Sequence, residues 1–400
     1  MSDPSDLILP RGFRAAGVRA GIKPSGGPDL AVLVADRDCS AAGTFTTNRV
    51  AAAPVHWDRA LLPSGSIRAV VINAGNANAA TGQQGLDNAR ATADAAAGVL
   101  GCKAEQVLVA STGVIGHQLP MPKVEAGLRA ALAAATADPA GFHDASRAIL
   151  TTDTRPKVVS ARREIGGHPV ALLGLAKGAA MIGPRMATML GFLLTDARVD
   201  PQDLRTILTA AVEDSFNCIS VEGHMSTNDT VLILAGGDPS SPTLAGPALV
   251  EFAVMVREAC IDLARMIPDD GEGATHRITI DVEGAGTPDE ARAIARAVAD
   301  SPLVKTAIHG ADPNWGRIVS AAGYAGVPFE EGELSLWLNG FPLYRDGVPL
   351  PFDAAAVSAD LRAHRETGIR LSLNRGLATA RFWTCDLTAE YIRLNADYTT

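Results

Sequence analysis

Apolar residues recur in two rhythms along this chain of 400 residues. Short runs rich in Val, Ile and Leu, stopped by Gly, Asn or Asp, predict strands, and they crowd the first third: LAVLVAD (30–36), AAGTFTTN (41–48), AAPVHWD (52–58) and RAVVINAG (68–75). Ala-rich stretches with Leu and charges at three-to-four spacing predict amphipathic helices near 86–100 and 122–135, separated by the strand-and-turn EQVLVASTG. KVVSARREI and PVALLGL flank GGH as a hairpin, and the strand-like ATMLGFLLTDA (187–197) follows KGAAMIGPRM. Beyond it, helices at 203–216, 248–267, 289–300 and 354–364 alternate unevenly with the strands TVLILAG, RITIDVEG, LSLWLNG, IRLSLNR and ATARFWTCD. This mixture of hairpins and helices predicts an α+β layered sandwich, largely antiparallel, rather than a doubly wound parallel sheet. No repeat period or low-complexity linker marks a domain boundary.

One dinucleotide-like motif fails on inspection. EGAGTPDEA (283–291) lacks the third glycine of GxGxxG, and Thr287, Pro288 and Glu290 read instead as N-cap, N1 proline and the far end of a capping box.

Composition narrows the function. A content of 47% hydrophobic residues fills a sizeable core, and no apolar stretch reaches the roughly 18 to 20 residues that cross a bilayer. MSDPSDLILPRGFR carries no basic segment ahead of an apolar one, so the expected compartment is the cytoplasm. Five scattered cysteines without CxxC, and eight histidines without HxH or HxxxH, predict neither disulfides nor a metal, and no cofactor is expected. Aromatics at 4% and no basic patch argue against nucleic acid, as the apolar runs argue against a membrane. The net charge of −9 is split: residues 1–187 carry 19 Lys+Arg and 14 Asp+Glu (+5), and residues 188–400 carry 16 and 30 (−14). Opposite signs favour association of the halves.

The division at residue 187 has a chemical motive. Thr188 opens an apolar run behind KGAAMIGP, in which a lysine, two glycines, two alanines and a proline make a backbone able to turn sharply. On sequence alone, Thr188 is either the first residue of a buried strand or a nucleophile. A threonine hydroxyl needs a base, and a threonine released as the first residue of a chain supplies its own α-amine. Attack of the Thr188 hydroxyl on the Ala187 carbonyl, an N-to-O acyl shift and hydrolysis of the ester would release it. That amine titrates near pKa 7.7–8.0 in model compounds and is partly neutral at cytoplasmic pH.

KGAAMIGPRMATMLGFLLTDA resembles the cleavage-site signature of the bifunctional ornithine acetyltransferase family (glutamate N-acetyltransferase of the cyclic arginine pathway). GFRAAGVRAGIK, TTNRVAAAPV, INAGNANAATG, STGVIGHQLPM, TTDTRPK, STNDTV, DPNWGRI and NADYTT are similar to family segments in the same order, so the resemblance covers essentially the whole chain. It implies self-cleavage between Ala187 and Thr188 into an α chain (1–187) and a β chain (188–400), held together as an α2β2 assembly. It implies a sandwich of the DmpA type, like that of N-terminal-nucleophile aminopeptidases. The implied reaction is ping-pong: Thr188 takes acetyl from N-acetylornithine, ornithine leaves and glutamate accepts, with acetyl-CoA left open as a second donor. Thr112 and Gly113 match the family's oxyanion hole; Thr154, Lys177, Thr188, Glu272, Asn395 and Thr400 match its substrate-binding positions. A lysine at 177 suits the substrate α-carboxylate, and a carboxylate at Glu272 suits the ornithine ammonium or proton traffic at the acceptor amine. Three positions depart from the family pattern: Ala180 where glycine is common, His224 where aspartate is usual, and Ala80 where cysteine is frequent.

Two other readings stand beside this one. An N-terminal-nucleophile aminopeptidase or amidohydrolase would resolve the acyl-threonine with water, although such hydrolases use serine and lack the KG…MATML arrangement. An uncleaved, non-catalytic amino-acid-binding protein would remain one chain.

Overall fold

The computed structural model describes residues 7–183 and 189–397. Its elements run β1 (Phe13–Val18), β2 (Leu30–Phe45), α1 (Ala53–Leu61), β3 (Ser64–Asn76), α2 (Gly82–Leu100), β4 (Val107–Val114), α3 (Met121–Ala134), α4 (Pro139–Ala148), β5 (Lys157–Ile165) and β6 (His168–Lys177). The chain continues through β7 (Leu190–Thr195), α5 (Pro201–Glu213), β8 (Thr230–Ala235), α6 (Gly246–Asp269), β9 (Arg277–Ala285), α7 (Pro288–Ala299), α8 (Pro302–His309) and α9 (Trp315–Gly323). It ends with β10 (Leu334–Leu338), β11 (Phe341–Arg345), β12 (Val348–Pro349), α10 (Ala354–Ala363), β13 (Glu366–Leu373), β14 (Ala378–Cys385) and α11 (Ala389–Asp397).

The larger sheet has strand order β4-β3-β2-β8-β7-β6-β5, with β1 also paired to β2. Strand β2 is its corner. Its first half pairs with β1 and β3 and its second half with β8, and the register to β3 breaks between Val34 and Cys39 and again before Ala41. Strand alternation then sorts side chains into layers. Leu33, Val70, Ile72 and Leu108 from one leaf share a core with Leu173, Leu175, Phe192, Leu194 and Leu232 from the other. On the outer face of the first leaf, Val32, Val34, Val71 and Val109 pack on Ala89, Ala93, Val124 and Leu128 of α2 and α3. On the outer face of the second, Leu172, Leu193, Val231 and Ile233 pack on Leu204 and Leu208 of α5 and Met255 and Leu263 of α6. The result is helices, leaf, leaf, helices: the layered α+β sandwich that the hydrophobic pattern predicts.

A second sheet, β12-β11-β10-β13-β9-β14, joins the same core through Ile278, Ile280 and Phe382. Only β3–β4, β7–β8 and β9–β13 pair in parallel among the named strands. The line at residue 187 does not separate two cores. It passes through the second leaf, between β6 and its antiparallel neighbour β7.

The structure changes two readings of the pattern. AAPVHWD is not a strand but the first turns of α1, with Pro54 in its first turn. This helix covers the open edge of β4: Trp57 Nε1 donates to Val107 O at 3.0 Å, and buried Asp58 accepts from Val109 N at 2.9 Å. The runs at 30–36 and 41–48 are one strand carried around a bend. The capping box at Thr287 and Glu290 is present in both directions, each bond 3.2 Å long. Among the described residues no helix is long and apolar enough to cross a membrane.

Candidate functional site

Thr112 and Gly113 lie at the C-terminal end of β4, where Gly113 faces Gly75 of β3 across the parallel pair. Gly113 has φ +132°, and a Cβ there would sit 2.3 Å from the Gly75 carbonyl carbon, so only glycine fits. Buried amides fix this strand end. Ser111 Oγ donates to Asn73 Oδ1 at 2.6 Å, and Asn73 Nδ2 to Asn76 O at 2.8 Å. Asn76 in turn donates to His117 O and Gln118 O. Asn228, just before β8, ties the two leaves together: its Nδ2 donates to Ala77 O at 2.6 Å and to Ser111 O at 2.8 Å. The residue beside Thr112 is therefore anchored directly to the opposite leaf.

Lys177 ends β6 and is buried. Its Nζ approaches Asp153 Oδ2 at 3.9 Å. Asp153 Oδ1 accepts from Lys157 Nζ at 2.8 Å and from Gly178 N at 2.6 Å, and Lys157 continues to Asp270 Oδ2 at 2.7 Å. Thr154 bonds the same Asp270 through its amide at 3.1 Å and through its hydroxyl. Burial pushes the Asp153 carboxyl up, but Lys177 and Lys157 outweigh it and hold the group at about 2. Burial lowers the Lys177 pKa, and Asp153 is the largest influence opposing that loss. Lys177 is thus a desolvated lysine whose Nζ, among the described residues, meets only Asp153, a group suited to a small carboxylate.

Glu272 lies across the turn that follows Lys177: its amide donates to Ala179 O at 3.0 Å, and its carboxylate accepts from Asn395 Nδ2 of α11 at 2.8 Å. The same turn meets Glu222, whose Oε1 accepts from Ile182 N at 2.6 Å. Where the chain re-enters the sheet, Asp229 Oδ1 accepts from Met189 N at 3.1 Å. Burial pushes Glu222 up to about 8 and Asp229 well above the carboxylate range.

Of the residues singled out in the sequence, Lys177, Thr154, Glu272 and Asn395 form one connected group. Thr112 and Gly113 follow Ser111, whose carbonyl Asn228 holds, and Asp229, next to Asn228, acts by charge on Lys177. Ala187, Thr188 and Thr400 lie outside the described residues. The sequence reading overlooked Asp153, Glu222, Asn228, Asp229 and Asp270. Asp153 stands inside TTDTRPK and Asn228 and Asp229 inside STNDTV, so the signal was a carboxylate or amide next to a hydroxyl already considered. Asp270 gave none, because only the fold brings it to Thr154. Ala180 bears no left-handed backbone; in that turn Met181 does, at φ +57°. His224 is exposed, and Ala80 sits at φ +54°.

A family model described as the ArgJ family matches residues 14–400. The chain belongs to the ArgJ family. It is 48% identical over 398 residues to the arginine biosynthesis bifunctional protein ArgJ of Symbiobacterium thermophilum, covering 98% of each chain. With the ArgJ protein of Thermosynechococcus vestitus it shares 46% over 409 residues, 98% of this chain and 97% of that one. Among solved structures, ArgJ of Bacillus halodurans is 38% identical, with a TM-score of 0.49, covering 51% of this chain and 96% of that chain. The ornithine acetyltransferase of Mycobacterium tuberculosis, solved with ornithine, is 42% identical, with a TM-score of 0.39, covering 44% and 92%.

Proposed function

We propose that this chain is a glutamate N-acetyltransferase of arginine biosynthesis, moving acetyl from N2-acetyl-L-ornithine to L-glutamate through an acetyl ester on Thr188. The observation that supports this reading is that buried Lys177 pairs with Leu190, the first residue of β7 and two past Thr188, whose other neighbour Thr230 lies two residues from Asn228, the donor to Ser111 O beside Thr112 and Gly113, the positions that match the family's oxyanion hole.

The cycle begins with self-cleavage. The Thr188 hydroxyl attacks the Ala187 carbonyl, the peptide C–N bond breaks as the ester forms, and water hydrolyses the ester to leave a free α-amine on Thr188. In turnover that amine takes the hydroxyl proton while the oxygen attacks the acetyl carbonyl of N-acetylornithine. The Thr112 hydroxyl and the Gly113 N–H stabilise the oxyanion, a pair of donors each worth roughly 100- to 1,000-fold in rate. The intermediate collapses to acetyl-threonine and ornithine, and the glutamate amine then removes the acetyl group by the reverse path. Lys177 pairs with the α-carboxylate common to both amino acids, while Thr154, Glu272, Asn395 and Thr400 complete the substrate contacts. Acetyl-CoA enters the same scheme as an alternative donor, and no resident cofactor or metal is called for. The cytoplasm and an α2β2 assembly of cut chains complete the proposal.

Intact-mass measurement tests the first half. The native chain should resolve into two polypeptides, and Thr188→Ala should stay at the full 41.4 kDa and be inactive. Thr188→Ala protein that is still cut and active would end the proposal. For the second half, glutamate is supplied with N-acetylornithine or with acetyl-CoA in separate reactions, scoring ornithine or free thiol. Turnover with neither donor removes the acetyltransferase assignment.

A further inference from the structure

Two carboxyl groups from one segment, 222–229, half-buried Glu222 and buried Asp229, bond the backbone on both sides of the 183–188 stretch. Upstream, Glu222 Oε1 takes the Ile182 N–H at 2.6 Å. Downstream, Asp229 Oδ1 takes the Met189 N–H at 3.1 Å. The upstream side is gripped further: Ile182 O accepts from Val221 N at 2.9 Å, Gly223 N at 3.0 Å and Ser220 Oγ at 3.3 Å. Gly183 lies so close to Gly223 that a Cβ on it would sit 2.5 Å from the Gly223 carbonyl carbon. Asp153 and Asp270 are held by lysines, but among the described residues Glu222 Oε2 and Asp229 Oδ2 are buried without a hydrogen-bond partner. A buried carboxyl lacking a close counter-charge costs least as the neutral acid, whose carbonyl oxygen still accepts an N–H.

We propose that Glu222 and Asp229 are positioning residues for self-cleavage: a two-point clamp that fixes the chain at Ile182 and Met189 and so holds the intervening backbone for attack. This rests on the self-cleavage reading above. An N-to-O acyl shift demands that a hydroxyl reach the preceding carbonyl in one narrow geometry, and a misplacement of about 1 Å costs on the order of 100-fold. Six residues span from Ile182 to Met189, enough slack to lose that geometry unless both ends are held. Neither clamp residue needs to touch the reacting atoms.

The test has two arms on the full-length protein. In an uncut Thr188→Ala chain, hydrogen exchange at the Ile182 and Met189 amides should be slow, with Glu222→Met releasing the first and Asp229→Val the second. Exchange at the rate of an exposed loop in Thr188→Ala itself overturns the clamp, whatever the variants do. In chains keeping Thr188, intact mass followed over time should show Glu222→Met and Asp229→Val cutting about 100-fold slower. Glu222→Gln and Asp229→Asn keep the acceptor oxygen and should restore cutting to near the native rate. Native-rate cutting in the Met and Val variants, or Gln and Asn variants as slow as they are, overturns the proposal. A native chain that is never cut fails differently: it removes the self-cleavage reading itself, and the clamp's purpose with it.

Discussion

At the scale of single residues, Asp153 is the group on which the most depends. It is shared between two buried lysines, and its carboxyl, held at about 2, lies well below the usual 3.8. A depressed carboxyl contributes stability that is fully present above the unfolded value and is lost as pH falls through the folded one. That lowering corresponds to about 2 kcal/mol, withdrawn between roughly pH 4 and pH 2. Asp153→Asn should therefore lower unfolding free energy at pH 7 by about 3 kcal/mol, because it takes the carboxylate from buried Lys177 and leaves buried Lys157 with Asp270 alone, and should flatten the acid limb of the stability curve. Urea titrations from pH 2 to pH 7 check both. The same change removes the carboxylate charge that most opposes the effect of burial on Lys177, so KM for N-acetylornithine should rise about tenfold or more, with a smaller effect on kcat. An unchanged KM would mean that Lys177 does not read the substrate carboxylate.

At the scale of elements, the decisive contact joins β8 to the ends of β3 and β4. Asn228 Nδ2 alone bridges Ala77 O and Ser111 O across the leaves. Asn228→Leu leaves both carbonyls without that donor, which should cost about 2–4 kcal/mol and let the Thr112–Gly113 corner drift. Thermal unfolding and kcat should fall together in this variant, whereas a loss of stability with kcat intact would uncouple the bridge from the proposed oxyanion pair. No spacing rule connects Asn228 to Ser111, 117 residues away, although both stand in motifs visible in the sequence. That is the general pattern here. The hairpin at 157–175, helices α2, α3 and α5 to α7, and the Thr287 capping box follow from local periodicity and turn chemistry, which need no partner. AAPVHWD misled because its burial comes from covering the β4 edge rather than from any period of its own. β1, α4, α8 and α11 carry too few apolar residues in rhythm to be read before their neighbours are known. In the site, hydroxyls, amides, Lys177 and Glu272 were legible through family motifs, but Asp153 and Asp270, the carboxylates that pair with the buried lysines, were not, since electrostatic partnership is a property of the folded molecule.

At the scale of the whole molecule, the bond proposed for cleavage joins two strands of one leaf. Strands β6 and β7 pair antiparallel from Leu172–Thr195 to Lys177–Leu190, and β2 and β8 pair from Ser40–Ala235 to Phe45–Thr230. Both pairings cross the line at residue 187. Leu173 and Leu175 from before it share a core with Phe192, Leu194 and Leu232 from after it, at about 2 kcal/mol for each such side chain buried. The opposite net charges of the halves, +5 and −14, act mainly between exposed groups. At 1 M salt the screening length is about 3 Å, so that attraction nearly vanishes while burial does not. The cut α and β chains should therefore co-elute in size-exclusion chromatography at both 0.1 M and 1 M NaCl, and come apart only when urea unfolds the sandwich. Separation by salt alone would show that charge, rather than the shared sheet and core, holds the halves together, and the continuity of the second leaf across residue 187 would not survive that result.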